Sequence, residues 1–292
     1  MLNTAKEIIE VCKERNCRIY DLVLEEEMKN TKRSEEEIRA EVSKVVKVME
    51  GSATENLEKE TPTTYKMIDG FAKNSYRYAQ EKEPIVGKFL MKAMAMAFST
   101  SEVNGTMGKI VAAPTAGSSG ILPAAIVSAR DKYDLDERTI QNGLLTSIGI
   151  GQIIAKYATF AGAEGGCQAE CGAASAMAAS AVVEMLDGTT EQILHSASIS
   201  LINILGLVCD PIAGLVQYPC AFRNASGVMN ALISADMVMA GLTSFIPFEE
   251  VVQAMGEVGR ALDENLRETG TGGLAATKSG CAIREDYLGL KK

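Results

Sequence analysis

Apolar residues recur at helical spacing through most of the chain. Ile38, Val42, Val45, Val46 and Met49 follow a Ser34/Glu37 pair that makes a capping box, and Gly51 suits the C-terminal end of that helix. Pro84 fits a first helical turn, and Phe89, Leu90, Met94, Ala97 and Phe98 carry the pattern toward Ser101. A further helix runs from the Asp134 region through Lys156, where Gly143, Gly149 and Gly151 imply close packing. Residues 171–186 read as an Ala- and Ser-rich helix stopped by Asp187-Gly188. Thr189 with Gln192 forms a second capping box and opens a helix to about Leu207, ended by Cys209-Asp210-Pro211. Small side chains let these two helices cross in the interior. Residues 224–242 and a span from Pro247 to Leu266 complete the pattern, and no strand-like run exceeds 109–113. The prediction is an all-α chain: a single helical domain over 1–292, with a helical N-terminal arm over 1–60 and a flexible glycine-rich tail over 267–292.

The pattern fails in two places that matter. Residues 104–120 hold Gly105, Gly108, Gly117, Gly120 and Pro114, among the hydroxyls of Thr115, Ser118 and Ser119. Such a segment, placed before a helix starting near Ile121, can bring hydroxyl and N–H groups to an anion such as a carboxylate. The plain alternative is a connection between helices with Ser119 as a cap. The second place is 162–223, where Cys167, Cys209 and Cys220 each stand in a break rich in glycine or proline.

Composition narrows the chemistry. With 292 residues, 47% hydrophobic and 23% charged, the chain has enough apolar surface for a sizeable core. A net charge of -9 argues against nucleic acid or anionic membrane as partners. The longest uncharged runs, 192–209 and 110–129, are broken by polar residues, glycine or proline, which suits buried segments better than membrane spans. Charges within residues 6–14 match no secretory leader, so the expected compartment is the cytoplasm, where thiols stay reduced. Seven cysteines meet a single histidine, His195, so imidazole is scarce as a ligand or base. Three readings of the cysteines then stand side by side. They are packed core thiols, thiolates of an iron–sulfur cluster with one iron left open, or a zinc site that Cys171, four residues after Cys167, would help to form.

Four ordered strings point further: 113–120 (APTAGSSG), 164–170 (EGGCQAE), Cys209-Asp210-Pro211 through Pro219-Cys220, and Gly272-Gly273-Leu274-Ala275. Together they resemble the α (catalytic) subunit of iron–sulfur-dependent bacterial L-serine dehydratases. The resemblance implies an all-helical catalytic domain that deaminates L-serine to pyruvate and ammonia at a 4Fe-4S cluster, without pyridoxal phosphate. It places the cluster ligands on Cys167, Cys209 and Cys220, and leaves Cys171 as a packed thiol. Cys281 lies where single-chain members of the family carry a fourth, displaceable ligand, but here more chain follows it. The open iron would bind the serine hydroxyl as a Lewis acid, and residues 115–120 would hold the carboxylate with Asn104 nearby. Base candidates are an iron-bound alkoxide, Lys66, Lys109 and Glu164. A separate β subunit with an ACT-like regulatory domain is the implied partner. Two other readings remain: a pyridoxal-phosphate dehydratase using Lys109, against which the helical pattern speaks, and a non-catalytic cluster-bearing sensor or scaffold.

Overall fold

The computed structural model describes residues 4–289 and folds them into thirteen α-helices, with 3-10 turns in several connections. The first seven are α1 (Ala5–Arg15), α2 (Ile19–Thr31), α3 (Glu35–Thr54), α4 (Phe71–Glu81), α5 (Gly87–Gly105), α6 (Ile121–Tyr133) and α7 (Glu137–Tyr157). A single turn, α8 (Gly162–Gly165), precedes α9 (Ala173–Met185), α10 (Thr190–Ile202), α11 (Cys220–Met239), α12 (Phe248–Ala261) and α13 (Lys278–Tyr287). The all-α class read from the sequence is the class observed. Among the described residues, β pairing is limited to an isolated bridge between Cys209 and Arg267.

Local chemistry starts helices where the sequence places them. Ser34 accepts from the Glu37 N–H while the Glu37 carboxylate accepts from the Ser34 N–H at 2.8 Å, and Thr189 with Gln192 does the same for α10. Both boxes satisfy first-turn donors that have no helical partner. Helix ends differ more. α3 runs past Gly51 to Thr54, because a helical glycine costs only ~1 kcal/mol and Met49, Ser52 and Ala53 are buried around it. α5 starts at Gly87, after a turn in which the Pro84 carbonyl accepts from Gly87 N, and continues beyond Ser101 to Gly105. α10 stops at Ile202, short of Leu207, and downstream the Gly206 N–H is taken by the Gln168 side-chain oxygen at 2.9 Å. α12 stops at Ala261, where Leu262 turns to extended backbone against Gly166.

α9 is the axis of the fold. Every residue from Ala173 to Met185 is buried, and α6, α7, α10 and α11 all pack on it. Its Ala and Ser side chains keep the helix thin. On α7, a Cβ added to Gly143 would meet Met185 Cγ at 2.6 Å and the Ala181 carbonyl at 2.9 Å, so the two backbones nearly touch. The predicted contact of α9 with α10 is present. The buried carboxylate of Glu184 takes Arg18 at 2.6 Å and the Thr146 hydroxyl at 3.0 Å, the pairing that an ion removed from water requires.

Helices within residues 1–60 contribute Ile8, Ile19, Val23, Val42 and Met49 to the main hydrophobic core. At the other end, residues 267–289 include a 3-10 turn, Gly273–Ala276, and α13, whose Tyr287 ring packs edge-on against Tyr65 with centroids 4.4 Å apart. The last part of the predicted tail, 290–292, lies outside the described residues. No helix among them is long and apolar enough to cross a membrane.

Candidate metal centre

Three chain breaks converge at the N-terminal end of α9. Gly166 has φ +72°, and a Cβ there would meet Leu262 Cδ1 at 2.6 Å and the Leu207 carbonyl at 2.9 Å, so only glycine lets the chain pass. Cys167 then leads into a π-helical turn, Gln168–Gly172, which joins α9. Such wide turns concentrate at functional positions. Buried Gln168 fastens this turn to its neighbours. Its N–H donates to Leu207 O at 3.0 Å, its amide nitrogen to Gly165 O at 2.9 Å and Met255 O at 3.1 Å, and its Oε1 accepts from Gly206 N. Cys209 is held by its own N–H on Leu266 O at 2.8 Å and by the Glu268 N–H on its carbonyl at 2.7 Å. Cys220 opens α11 directly after Pro219.

The structure gathers two of the predicted ligands around a carboxylate. The sulfurs of Cys167 and Cys209 and one oxygen of Glu170 lie within 4.8 Å of one another, all buried. The Cys209 thiol donates toward Glu170 Oε2 at 3.8 Å. Cys171 sits 3.5 Å from Cys167, sulfur to sulfur, and lines a cavity of about 620 Å³ with Arg223, Phe222 and Leu274 in its wall. Cys220 falls outside the compact trio, but it is buried and its thiol feels the charge of Cys167 and Glu170. Arg223 binds Asp210 at 2.5 Å, its charge favours the Cys167 thiolate, and its Nη1 is buried without a partner.

Electrostatics test whether a metal group suits these residues. The neighbouring Cys171 and Cys209 thiols, with the nearby Arg223 guanidinium, hold the Cys167 thiol well below the usual thiol range. The thiols of Cys171 and Cys209 are pushed well up, by the neighbouring Cys167 and by burial. Burial, then the charges of Cys167 and Glu170, push Cys220 up to about 12. Burial and the Cys167 charge also push Glu170 up to about 7, against the hydrogen bond from Thr115. The remaining thiols and Glu170 are therefore harder to ionise than free groups while no positive centre stands among them. Cys167, Glu170 and Cys209 are thus a buried donor set that could hold a metal ion.

The predicted anion loop stands beside this set. Residues 116–118 form a 3-10 turn ahead of α6. Thr115 Oγ1 donates to Glu170 Oε1 at 2.8 Å and lies 3.1 Å from Ser118 Oγ, and a Cβ on Gly117 would meet Glu170 Oε1 at 3.1 Å. Ser119 turns its hydroxyl back to the Ala116 carbonyl at 2.8 Å, and the Gly120 N–H is taken by Asn224 Oδ1 at 2.8 Å.

Other predicted residues fall elsewhere. Asn104 is half-buried near the end of α5, and its side chain makes no hydrogen bond among the described residues. Lys66 and Lys109 are exposed. Glu164 is exposed too, in a separate cleft of about 470 Å³ lined by Lys156, Arg260 and Arg267. Cys281, on α13, donates to the Ala275 carbonyl at 3.7 Å, outside the buried trio. Sequence reasoning missed Glu170, Gln168, Arg223 and Asn224. Glu170 had a legible signal: three residues after Cys167 on a helical stretch, it shares that thiol's face.

Fold and site together define an all-α protein with a buried Cys–Glu–Cys set able to hold a metal. The chain belongs to the family described as serine dehydratase alpha chain, which it matches over residues 14–275. It is 70% identical over 288 residues to the L-serine dehydratase alpha chain of Peptoniphilus asaccharolyticus, covering 99% of both chains. It is 42% identical over 289 residues to the probable L-serine dehydratase alpha chain of Bacillus subtilis (strain 168), covering 99% of this chain and 96% of that one. With an L-serine dehydratase of Helicobacter pylori (strain J99 / ATCC 700824) it shares 37% identity over 204 residues, which are 68% of this chain and 45% of the relative.

Proposed function

We propose that this protein is a lyase that deaminates L-serine to pyruvate and ammonia at a 4Fe-4S cluster held by Cys167, Cys209 and Cys220. One observation carries the reading. Glu170 touches Thr115 of the anion loop at 2.8 Å and Cys209 at 3.8 Å, so carboxylate-binding and thiol-donating segments meet at one side chain. The relatives' names supply the substrate.

When bound, a cluster with one thiolate-free iron supplies Lewis acidity toward the serine hydroxyl. The remaining steps belong to the chain. Thr115 and Ser118 receive the substrate carboxylate, while Ser119 and Gly120 shape the turn through Ala116 and Asn224. We assign the Cα proton to the Glu170 carboxylate, because it is buried beside the loop and Cys209 whereas Lys109 and Glu164 are exposed. Loss of the proton and of the β-hydroxyl as water leaves aminoacrylate, which tautomerises and hydrolyses to pyruvate and ammonia. Cys281 stays outside the ligand set in this scheme. Pyridoxal phosphate has no part in it, since that chemistry needs a Schiff-base lysine in a phosphate cup and Lys109 is exposed on an all-α chain.

The partner we propose is a separate β chain with an ACT-like regulatory domain, in the cytoplasm. Two relatives named as alpha chains each cover 99% of this chain, and that name implies a second chain as partner. The cofactor assignment is tested by inhibition of pyruvate formation. An iron chelator should abolish it and borohydride should leave it intact; the reverse pattern would mean a Schiff-base enzyme.

A further inference from the structure

The amide of Asn224 makes three hydrogen bonds from a side chain that is 2% exposed. Its Oδ1 accepts from Gly120 N at 2.8 Å. Its Nδ2 donates to Gly117 O at 2.7 Å and to Cys220 O at 2.8 Å. Both N–H donors are therefore used, and they face two carbonyls from different segments. Gly117 and Gly120 bracket Ser118 and Ser119, so one amide clamps both ends of the anion turn. The third bond ties that clamp to the residue that opens α11. Space around the turn is tight enough to transmit a shift: a Cβ on Gly120 would meet the Ala97 carbonyl at 2.6 Å and Asn224 Oδ1 at 3.0 Å.

We propose that Asn224 is a positioning residue that locks the substrate-carboxylate turn to the Cys220 end of the metal centre. This rests on the serine dehydratase reading for its substrate, but the clamp itself is a property of the chain. Seating Cys220 on a metal group fixes the α11 N-terminus, and through Asn224 it fixes the turn that receives the carboxylate. Substrate binding and metal loading are thereby linked, although Asn224 touches neither reacting atom.

Asn224→Asp keeps the shape but turns an acceptor toward the Gly117 and Cys220 carbonyls, and Asn224→Ala removes the clamp. With each variant reconstituted anaerobically, KM for L-serine should rise by about tenfold or more while kcat stays within about threefold. Iron per chain should match the unsubstituted protein, and backbone amide exchange over residues 115–121 should accelerate. Unchanged KM with unchanged exchange would overturn the proposal, as would equal losses in kcat and kcat/KM with KM unmoved. If neither variant folds, the unsubstituted chain decides: the Gly120 amide should exchange about a hundredfold or more slower than an open amide, and slower still after iron loading. An unprotected Gly120 amide contradicts the clamp. A protein that never turns over L-serine would refute the proposed activity, and the exchange measurements would still judge Asn224.

Discussion

Arg223 on α11 binds Asp210 at 2.5 Å, which joins the helix that begins with Cys220 to the loop that holds Cys209. The other oxygen of Asp210 accepts from Leu274 N at 2.7 Å, so the Gly272–Leu274 turn is drawn into the same assembly. The charge of Arg223 also favours the Cys167 thiolate. A single guanidinium thus touches the setting of all three proposed ligands. Arg223→Gln should leave buried Asp210 without its counter-charge, at a cost of about 3–5 kcal/mol. Iron retained after anaerobic gel filtration should fall with it. Full retention and unchanged stability would show that this ion pair holds neither the fold nor the metal centre together.

The cysteines should separate by role. Cys209→Ser removes a member of the buried Cys–Glu–Cys trio, and iron binding and turnover should both be lost. Cys171→Ser replaces a thiol that contacts Cys167 at 3.5 Å but is not in that trio, and both properties should survive. Equal damage, read as iron and acid-labile sulfide per chain, would show that Cys171 is a ligand.

Glu170→Gln tests the proposed proton acceptor. The variant keeps the size of the side chain, can still accept from Thr115 and leaves all three proposed cluster thiols in place, so iron content should hold. Turnover of L-serine should drop by ~10²–10⁴, the range of a lost general base. Lys109→Ala and Glu164→Gln, which change exposed side chains, should stay within about twofold of the parent kcat/KM. A near-normal Glu170→Gln rate beside a collapsed Lys109→Ala rate would return the role to Lys109.

Periodicity and caps made the helices legible, because they are local. Ser34/Glu37 and Thr189/Gln192 need no tertiary knowledge, and the unbroken Ala and Ser run of α9 signals a buried axis by itself. Ends fixed by distant partners were not legible: the Gly206 N–H bound to Gln168 beyond α10, and Leu262 packing on Gly166 beyond α12. The same division holds in the site. Cys167, Cys209 and Thr115 stood out by residue type and setting. Asn224 and Arg223 look like helix residues in the sequence, and their roles come from bonds to segments as far away as Gly117. The exposed positions of Lys109 and Glu164 were hidden for the same reason, since exposure is set by the fold.

Glu102 should shape the pH dependence of stability. It is fully buried on α5, with Oε1 accepting from Ala72 N at 3.0 Å and Oε2 without a partner. Burial pushes its carboxyl from 4.5 up to about 7, against the N–H groups of α4. Between those two values the folded chain holds the proton and the unfolded chain does not. Stability therefore falls as pH rises through that window. Glu102→Gln should flatten this fall and gain about 1 kcal/mol or more at pH ~8. Urea midpoints of the metal-free chain at pH ~5 and ~8 check it. Parallel losses in parent and variant would show that Glu102 is not the titrating group.

The iron–sulfur centre proposed for this chain should be present in the protein that deaminates L-serine. Its most direct test combines two readings of one anaerobic sample, reconstituted with iron and sulfide and assayed with and without a co-expressed β chain. Iron and acid-labile sulfide per chain are counted, and pyruvate released from L-serine is followed. The account predicts a loaded cluster and pyruvate formation in at least the preparation with β chain, both lost with Cys209→Ser. A loaded cluster with no pyruvate in either preparation, or pyruvate formation undiminished without iron, would contradict it.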